Sequence, residues 1–292
     1  MLTPSFAICL LDIVPLRGEA SDRAEQVSQL RFGEVCTILE TSENKKWLKI
    51  RTFFDNYEAW VDALQITPIS EDYYKKYTQN LDSHHVVSSI HAVCFALDEK
   101  RNFQKGTFIS KGAVLPFFEV RKDKNILKPR DTYFFEINNT KYRFRGAIFK
   151  QNVFSPQELI SRALACQNIP YLWGGRSFWG ADCSGFVQEV FKSFGLILPR
   201  DAYQQAEKGD LVSFEELTSG DIAFFQREGR IIHTGIVWVK NKQIRIIHAR
   251  GCVRVDTLDS TGIWDAEAQK YSHYTHSFKR IEATDKATSQ EI

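Results

Sequence analysis

The chain has 292 residues, 43% of them hydrophobic and 25% charged, and its 38 basic and 36 acidic side chains leave a net charge of +2. That length suits two or three domains, each with its own core, and the balanced charge excludes the polybasic surface that nucleic-acid binding requires. No apolar run approaches the roughly 20 residues that span a bilayer. The six cysteines lie far apart, mostly in apolar runs such as Ala92-Val93-Cys94-Phe95-Ala96, so neither a disulfide framework nor a zinc ribbon is expected. Phe6-Ala7-Ile8-Cys9-Leu10-Leu11 lacks a basic segment before it and is too short for a leader, which makes it a first strand. The expected compartment is the cytoplasm, with export to the periplasm or cell wall as the alternative.

Residues 1–69 alternate short apolar runs with turns: Ala7 to Val14, Glu34 to Leu39, Trp47 to Thr52 and Ala59 to Val61, with Asp55-Asn56 as a turn signal. The pattern is that of a small β-barrel. Val14-Pro15-Leu16-Arg17, Val27 to Glu34, Trp47-Leu48-Lys49-Ile50 and Tyr57-Glu58-Ala59-Trp60-Val61 together resemble bacterial SH3-like domains. Ser70 to Tyr77 is a polar bridge with the character of a short helix. It leads to a second β-rich block from about His84 to Phe149, with strands expected at Ala92 to Leu97, Gly112 to Val120, Thr132 to Ile137 and Lys141 to Phe144, and bridge and block together, 70–150, are read as a linker helix and a second, diverged SH3-like barrel.

The last domain, 151–283, opens with helix-start signals that agree with one another: Ser155 as N-cap, Pro156 at the first helical position and Glu158 three residues on from the cap. A second helix follows Cys183, with Phe186, Val187, Val190, Phe191 and Phe194 on one face and Gly195 as its stop. Strand-like runs come next at Asp221 to Phe225, Ile231 to Val239 and Gln243 to Ala249. Helices first and sheet second make the domain α+β. Residues 284–292 read as a flexible polar tail.

Cys183 is thereby placed at a helix amino terminus, whose partial positive charge should depress the thiol pKa. Around it Asp182, Ser184, Gly185 and the earlier Gly174-Gly175 mark a tightly turned polar loop. A two-residue turn at Lys240-Asn241 sets His233 directly opposite His248, with Cβ atoms about 5 Å apart. One imidazole accepts the thiol proton and the other orients it, as a Cys/His/third-group triad requires. Zinc held by the same three residues is the competing chemistry, but the chain lacks any local Cys-x-x-Cys or His-x-x-x-His pair. His84, His85, His91, His273 and His276 read as surface or packing residues.

Tyr171-Leu172-Trp173-Gly174-Gly175-Arg176-Ser177, Gly180-Ala181-Asp182-Cys183-Ser184-Gly185-Phe186-Val187-Gln188, Leu198-Pro199-Arg200-Asp201-Ala202 and the two histidines resemble the NlpC-type cell-wall cysteine peptidases, a papain-like fold. With amino-terminal SH3-like barrels, the chain is similar to the γ-D-glutamyl-L-diamino-acid endopeptidases among them. The resemblance implies a nucleophile Cys183, a general base His233, an orienting His248 and an oxyanion donor Tyr171, with no metal or cofactor. It also implies a pocket for the free amine of an amino-terminal L-Ala: Asp182 as charged anchor, Ser184 beside it, and Glu25 and Tyr57 from the first barrel. Arg200 and Asp201 would hold the substrate backbone or carboxylates, and Ala202 stands where some relatives have Ser. Trp60 reads as barrel core.

The implied activity is hydrolysis of the γ-D-Glu to diamino-acid bond in peptidoglycan-derived peptides that begin with L-Ala, by a monomer, in muropeptide recycling. Two alternatives stand beside it: an endopeptidase acting on polymeric peptidoglycan, and a peptidoglycan-binding module with a vestigial site.

Overall fold

A computed structural model describes residues 5–100, 102–122, 131–149 and 154–282, and divides the chain into two compact units, 1–151 and 152–292. The expected tail 284–292 lies outside the described residues. Among the described residues no helix is long and apolar enough to cross a membrane.

In the first unit a seven-stranded antiparallel sheet runs in the order Gln26–Arg31, Ile13–Arg17, Glu58–Asp62, Trp47–Thr52, Val35–Thr41, Phe6–Ile8, Thr67–Ile69. Ala7 to Val14 is therefore two strands, not one: Phe6–Ile8 pairs with Val35–Thr41, while Ile13–Arg17 pairs with Gln26–Arg31. Alternate residues of these strands (Ala7, Val14, Leu16, Leu30, Ile50, Val61) fill one core. The turn at Asp55-Asn56 forms with Asn56 in the left-handed region at φ 54°.

The polar bridge is a helix, Glu71–Gln79, whose cap Ser70 accepts a hydrogen bond from the Tyr73 N–H at 3.1 Å. It is less polar in effect than in composition. Tyr73 and Tyr77, one turn apart, are buried, and the Tyr77 hydroxyl donates to the Gly33 carbonyl at 2.8 Å. Beyond it a five-stranded antiparallel sheet runs Phe103–Ile109, Ala92–Leu97, Thr140–Arg145, Asp131–Ile137, Glu119–Lys122. This second block shares its core with the first: Ile8, Phe32, Val35 and Tyr77 pack with Val87, Ile109, Phe135 and Phe144. Gly112 to Val120 breaks into Val114–Leu115 and Glu119–Lys122.

The second unit begins with the helix Pro156–Leu164, on whose cap Ser155 the Glu158 N–H donates at 3.2 Å. The helix Cys183–Lys192 ends as its stop signal requires: Gly195 has φ 77°, its N–H reaches the Lys192 carbonyl at 2.9 Å and that of Leu196 reaches Phe191 at 3.2 Å. Both helices pack on the strand Arg230–Lys240. The strands Ile222–Arg227, Arg230–Lys240, Gln243–Arg250, Cys252–Leu258, Gly262–Asp265 and Lys270–Arg280 pair in succession, and the last also pairs with the first, so six strands close on themselves, with Asp210–Val212 added outside Lys270–Arg280. Closure removes exposed edges. Alternate residues divide between two cores. Ile222, Phe224, Ile236 and Ile247 join the helices, while Ala223, Phe225, Val237 and Ile246 meet Leu258, Ile263 and Phe278.

Candidate active site

Cys183 is the first residue of its helix, and Asp182 is the N-cap. The Asp182 carboxylate is fully engaged. Its Oδ1 accepts from the Gly185 N–H at 2.7 Å, from Arg200 Nη1 at 3.0 Å and from the Ser184 hydroxyl at 3.3 Å; its Oδ2 accepts from the Gly174 N–H at 2.9 Å and from Arg200 Nη2 at 2.5 Å. Five donors converge on its two oxygens. Arg200, 1% exposed, also donates to the Ser184 hydroxyl at 3.0 Å. Asp182 and Arg200 thus form a buried bidentate pair that shapes the loop before Cys183. Close approach explains Gly185, because a Cβ there would lie 2.2 Å from the Gly175 carbonyl oxygen.

His233 and His248 meet, though not in the expected register. The turn is Asn241-Lys242, both with positive φ (52° and 63°), so Lys240 pairs with Gln243 and His248 lies opposite Gly235. A Cβ at Gly235 would come within 2.8 Å of the His248 Cβ. The missing side chain opens the diagonal, and His233 Nε2 sits 2.7 Å from His248 Nδ1. His248 Nε2 in turn lies 2.9 Å from Asp256 Oδ2. A carboxylate only accepts, so His248 carries its proton on Nε2 and accepts at Nδ1. His233 then donates from Nε2, and its Nδ1 is the lone pair available as a base.

Burial sets the charge state. It pushes the Cys183 thiol up to about 12, helped by the Asp182 charge and opposed by hydrogen bonds from the Thr234 and Ser184 backbone and by Arg200. The expected depression by the helix terminus is overridden by desolvation. Burial, then the charges of His248, His273 and Arg250, holds His233 well below the usual histidine range. Burial also lowers His248, with Asp256 opposing. Burial raises the Asp256 carboxyl, yet hydrogen bonds from His248 and Arg254 outweigh it and keep it ionised below its ordinary value. Both directions, up for Cys183 and down for His233, favour the uncharged form, a neutral thiol and a neutral imidazole.

Tyr171, half-buried, is pushed up to about 12 by burial first and then by its electrostatic interaction with Cys183 and Asp182, so its hydroxyl stays protonated. Asp201 precedes the short helix Ala202–Gln205, whose Gln204 side chain accepts from the Asp201 N–H at 3.2 Å. Glu25, exposed, and Tyr57, half-buried against the first core, belong to the other unit. Two residues of the site escape sequence reading: Asp256, and His273, whose ring stacks on His233 at 4.1 Å. Among the described residues no group of three or more His, Cys, Asp or Glu side chains is arranged to hold a metal.

Residues 168–272 match the NlpC/P60 family, and residues 16–66 match the bacterial dipeptidyl-peptidase SH3 domain. The chain carries an NlpC/P60 domain behind an SH3 domain. It is a hydrolase of the peptidase class. A γ-D-glutamyl-L-lysine dipeptidyl-peptidase of Bacillus subtilis strain 168 is 28% identical over 255 residues, 84% of this chain and 79% of its own. The Escherichia coli K12 murein DD-endopeptidase/LD-carboxypeptidase is 37% identical over 100 residues, 34% of this chain and 52% of its own. Among solved structures, an NlpC/P60 family protein from Bacillus cereus shares the fold at TM-score 0.71 and 18% identity, over 94% of this chain and 99% of that one.

Proposed function

We propose that the chain is a thiol peptidase that hydrolyses the γ-D-Glu to diamino-acid amide of peptidoglycan stem peptides with a free amino-terminal L-Ala, as a cytoplasmic monomer, in muropeptide recycling. The observation that carries the chemistry is the relay behind the helix-borne thiol, His233 to His248 to Asp256, at 2.7 and 2.9 Å. The Cys183 thiol passes its proton to His233 Nδ1 and the sulfur attacks the amide carbon. The oxyanion accepts from the Cys183 backbone N–H and the Tyr171 hydroxyl, His233 returns the proton to the leaving amine, and water hydrolyses the thioester. The substrate assignment rests on the dipeptidyl-peptidase relative, which matches across both units. A helix-borne cysteine packed on a histidine-bearing sheet supports the papain-like description of the catalytic unit.

The proposed amine pocket keeps Asp182 as charged anchor with Ser184 beside it, and Glu25 and Tyr57 as its further members, while Arg200 and Asp201 remain the proposed holders of the substrate backbone or carboxylates. A second reading, attack on polymeric peptidoglycan, draws on the higher identity of the catalytic part to the murein endopeptidase. Mass-spectrometric digestion of L-Ala-γ-D-Glu-diaminopimelate beside its N-acetylated twin separates the two. Cleavage of the free-amine peptide alone, abolished in Cys183→Ala, supports recycling. Equal cleavage of both removes the amine requirement, and cleavage of neither removes the activity.

A further inference from the structure

We propose that His273 is a positioning residue for the base, its imidazole forming the plane on which the His233 ring lies. The proposal rests on the reading of Cys183 and His233 as the reacting pair. A ring tethered by one hydrogen bond, here His233 Nε2 to His248 Nδ1 at 2.7 Å, is free to pivot about that bond. Pivoting swings Nδ1, the atom that must collect the thiol proton. A second, flat contact on the ring face stops it.

His273 supplies that contact. The His233 and His273 rings are 4.1 Å apart and 21° from parallel. His248 meets both edge-on, at 5.0 Å and 83° from His233 and at 6.3 Å and 83° from His273. Phe225 closes the remaining side, 5.9 Å from His233 and 6.1 Å from His273. The stacking ring is itself anchored. Its backbone pairs with Ile263 in the closed sheet, and its Nδ1 lies 3.1 Å from the Ser272 hydroxyl.

The stack also suits the charge that catalysis creates. Burial, with the charges of His248, Arg250 and Arg227 and against that of Asp256, pushes His273 down to about 4, so at neutral pH it is an uncharged π-face. An uncharged aromatic face attracts the imidazolium that forms on His233 when the thiol ionises. A cation at position 273 would repel it.

The test compares native enzyme, His273→Ala and His273→Phe in two assays: turnover of the free-amine tripeptide, and alkylation of Cys183 by iodoacetamide at neutral pH, followed on the Cys183 peptide by mass spectrometry. His273→Ala is expected to lower both kcat and the alkylation rate on the order of tenfold with KM within about twofold, and His273→Phe to recover most of the loss. Native rates in His273→Ala, or a His273→Phe enzyme as slow as His273→Ala, overturn the proposal. If His273→Ala melts below the assay temperature, His273→Leu replaces it: a Leu variant as fast as the Phe variant overturns the proposal equally. Alkylation needs no substrate. A native enzyme that cleaves neither peptide but keeps this alkylation order loses only the substrate assignment, whereas native Cys183 reacting no faster than half-exposed Cys252 overturns the reacting pair and the stack together.

Discussion

The two sides of the proposed catalytic centre solve opposite problems. At the nucleophile loop a full negative and a full positive charge, Asp182 and Arg200, are buried together and cancel. On the sheet, His233 and His248 are buried and neutral, His273 is half-buried and neutral, and Asp256, at the far end of the relay, is paired with Arg254 at 2.8 Å. The loop spends its charges on shape. The sheet keeps its rings uncharged and spends hydrogen bonds on tautomers, so the one unbalanced event left to the site is movement of the thiol proton.

The sharpest way to break this division is Arg200→Gln. It strands the Asp182 carboxylate in a buried loop, and breaking a buried pair costs about 3–5 kcal/mol. The midpoint of urea unfolding, followed by near-ultraviolet circular dichroism, should fall accordingly. An unchanged midpoint with a raised KM would instead make substrate binding the main role of Arg200.

Asp256→Ala attacks the other side. It frees the His248 Nε2–H and with it the tautomer that points the His233 lone pair toward the thiol, at an expected loss of about 100-fold in kcat with KM unchanged. Stability should move less than in Arg200→Gln, because Arg254 is partly exposed. A change confined to KM would make Asp256 a substrate contact.

Gly235→Ala tests whether the diagonal pairing of the histidines depends on an absent side chain. The added methyl meets the His248 Cβ and the Ile246 side chain at 2.8 Å, an overpacking worth about 1–3 kcal/mol. Activity should drop on the order of tenfold while the fold persists. Full activity would show that the strand yields without moving His248.

What the sequence disclosed follows the same division. Cys183, His233 and His248 were legible because helix-start signals, a Gly-rich loop and two histidine-bearing apolar strands are local patterns. The turn lies one residue later than the sequence suggests, which shifts the pairing by two, since Lys242 in the left-handed region carries none of the Asn-Gly signal that marks such turns. Parity rescued the inference: moving the turn along by one residue carries both strands together, and the histidines stay on one face. Asp256 and His273 were invisible for a different reason. Their strands, Cys252–Leu258 and Lys270–Arg280, owe their place to closing the sheet, and the second is too polar to show a buried face. The Asp182 to Arg200 pair joins residues 18 apart across the helix end, where spacing predicts nothing. In the first unit, strands at Trp47–Thr52 and Ala92–Leu97 match their apolar runs, while the shared core around Tyr77 depends on tertiary contacts that polar composition concealed.

Acid stability compares the two units at the smallest scale per residue. Burial holds His84 of the first unit at about 4, as it does His273 of the second, and His233 lies well below 6.5. Each folded-state value is below the unfolded one, so the unfolded chain binds the extra proton. The stabilisation is complete above about pH 6.5 and drains away as pH falls toward the folded values, by at most about 1.4 kcal/mol per pH unit for each histidine. Urea midpoints between pH 7 and 4.5 should therefore fall with a slope that His84→Phe reduces, since Phe fills the site between Tyr77 and Phe117 without taking up a proton. The same substitution should leave the acid limb of peptide hydrolysis where it was, because the proposed base, His233, belongs to the other unit. If His84→Phe moves the catalytic limb as well, the two units do not titrate independently, and the neutral histidine cluster of the sheet is answering to charge in the first unit.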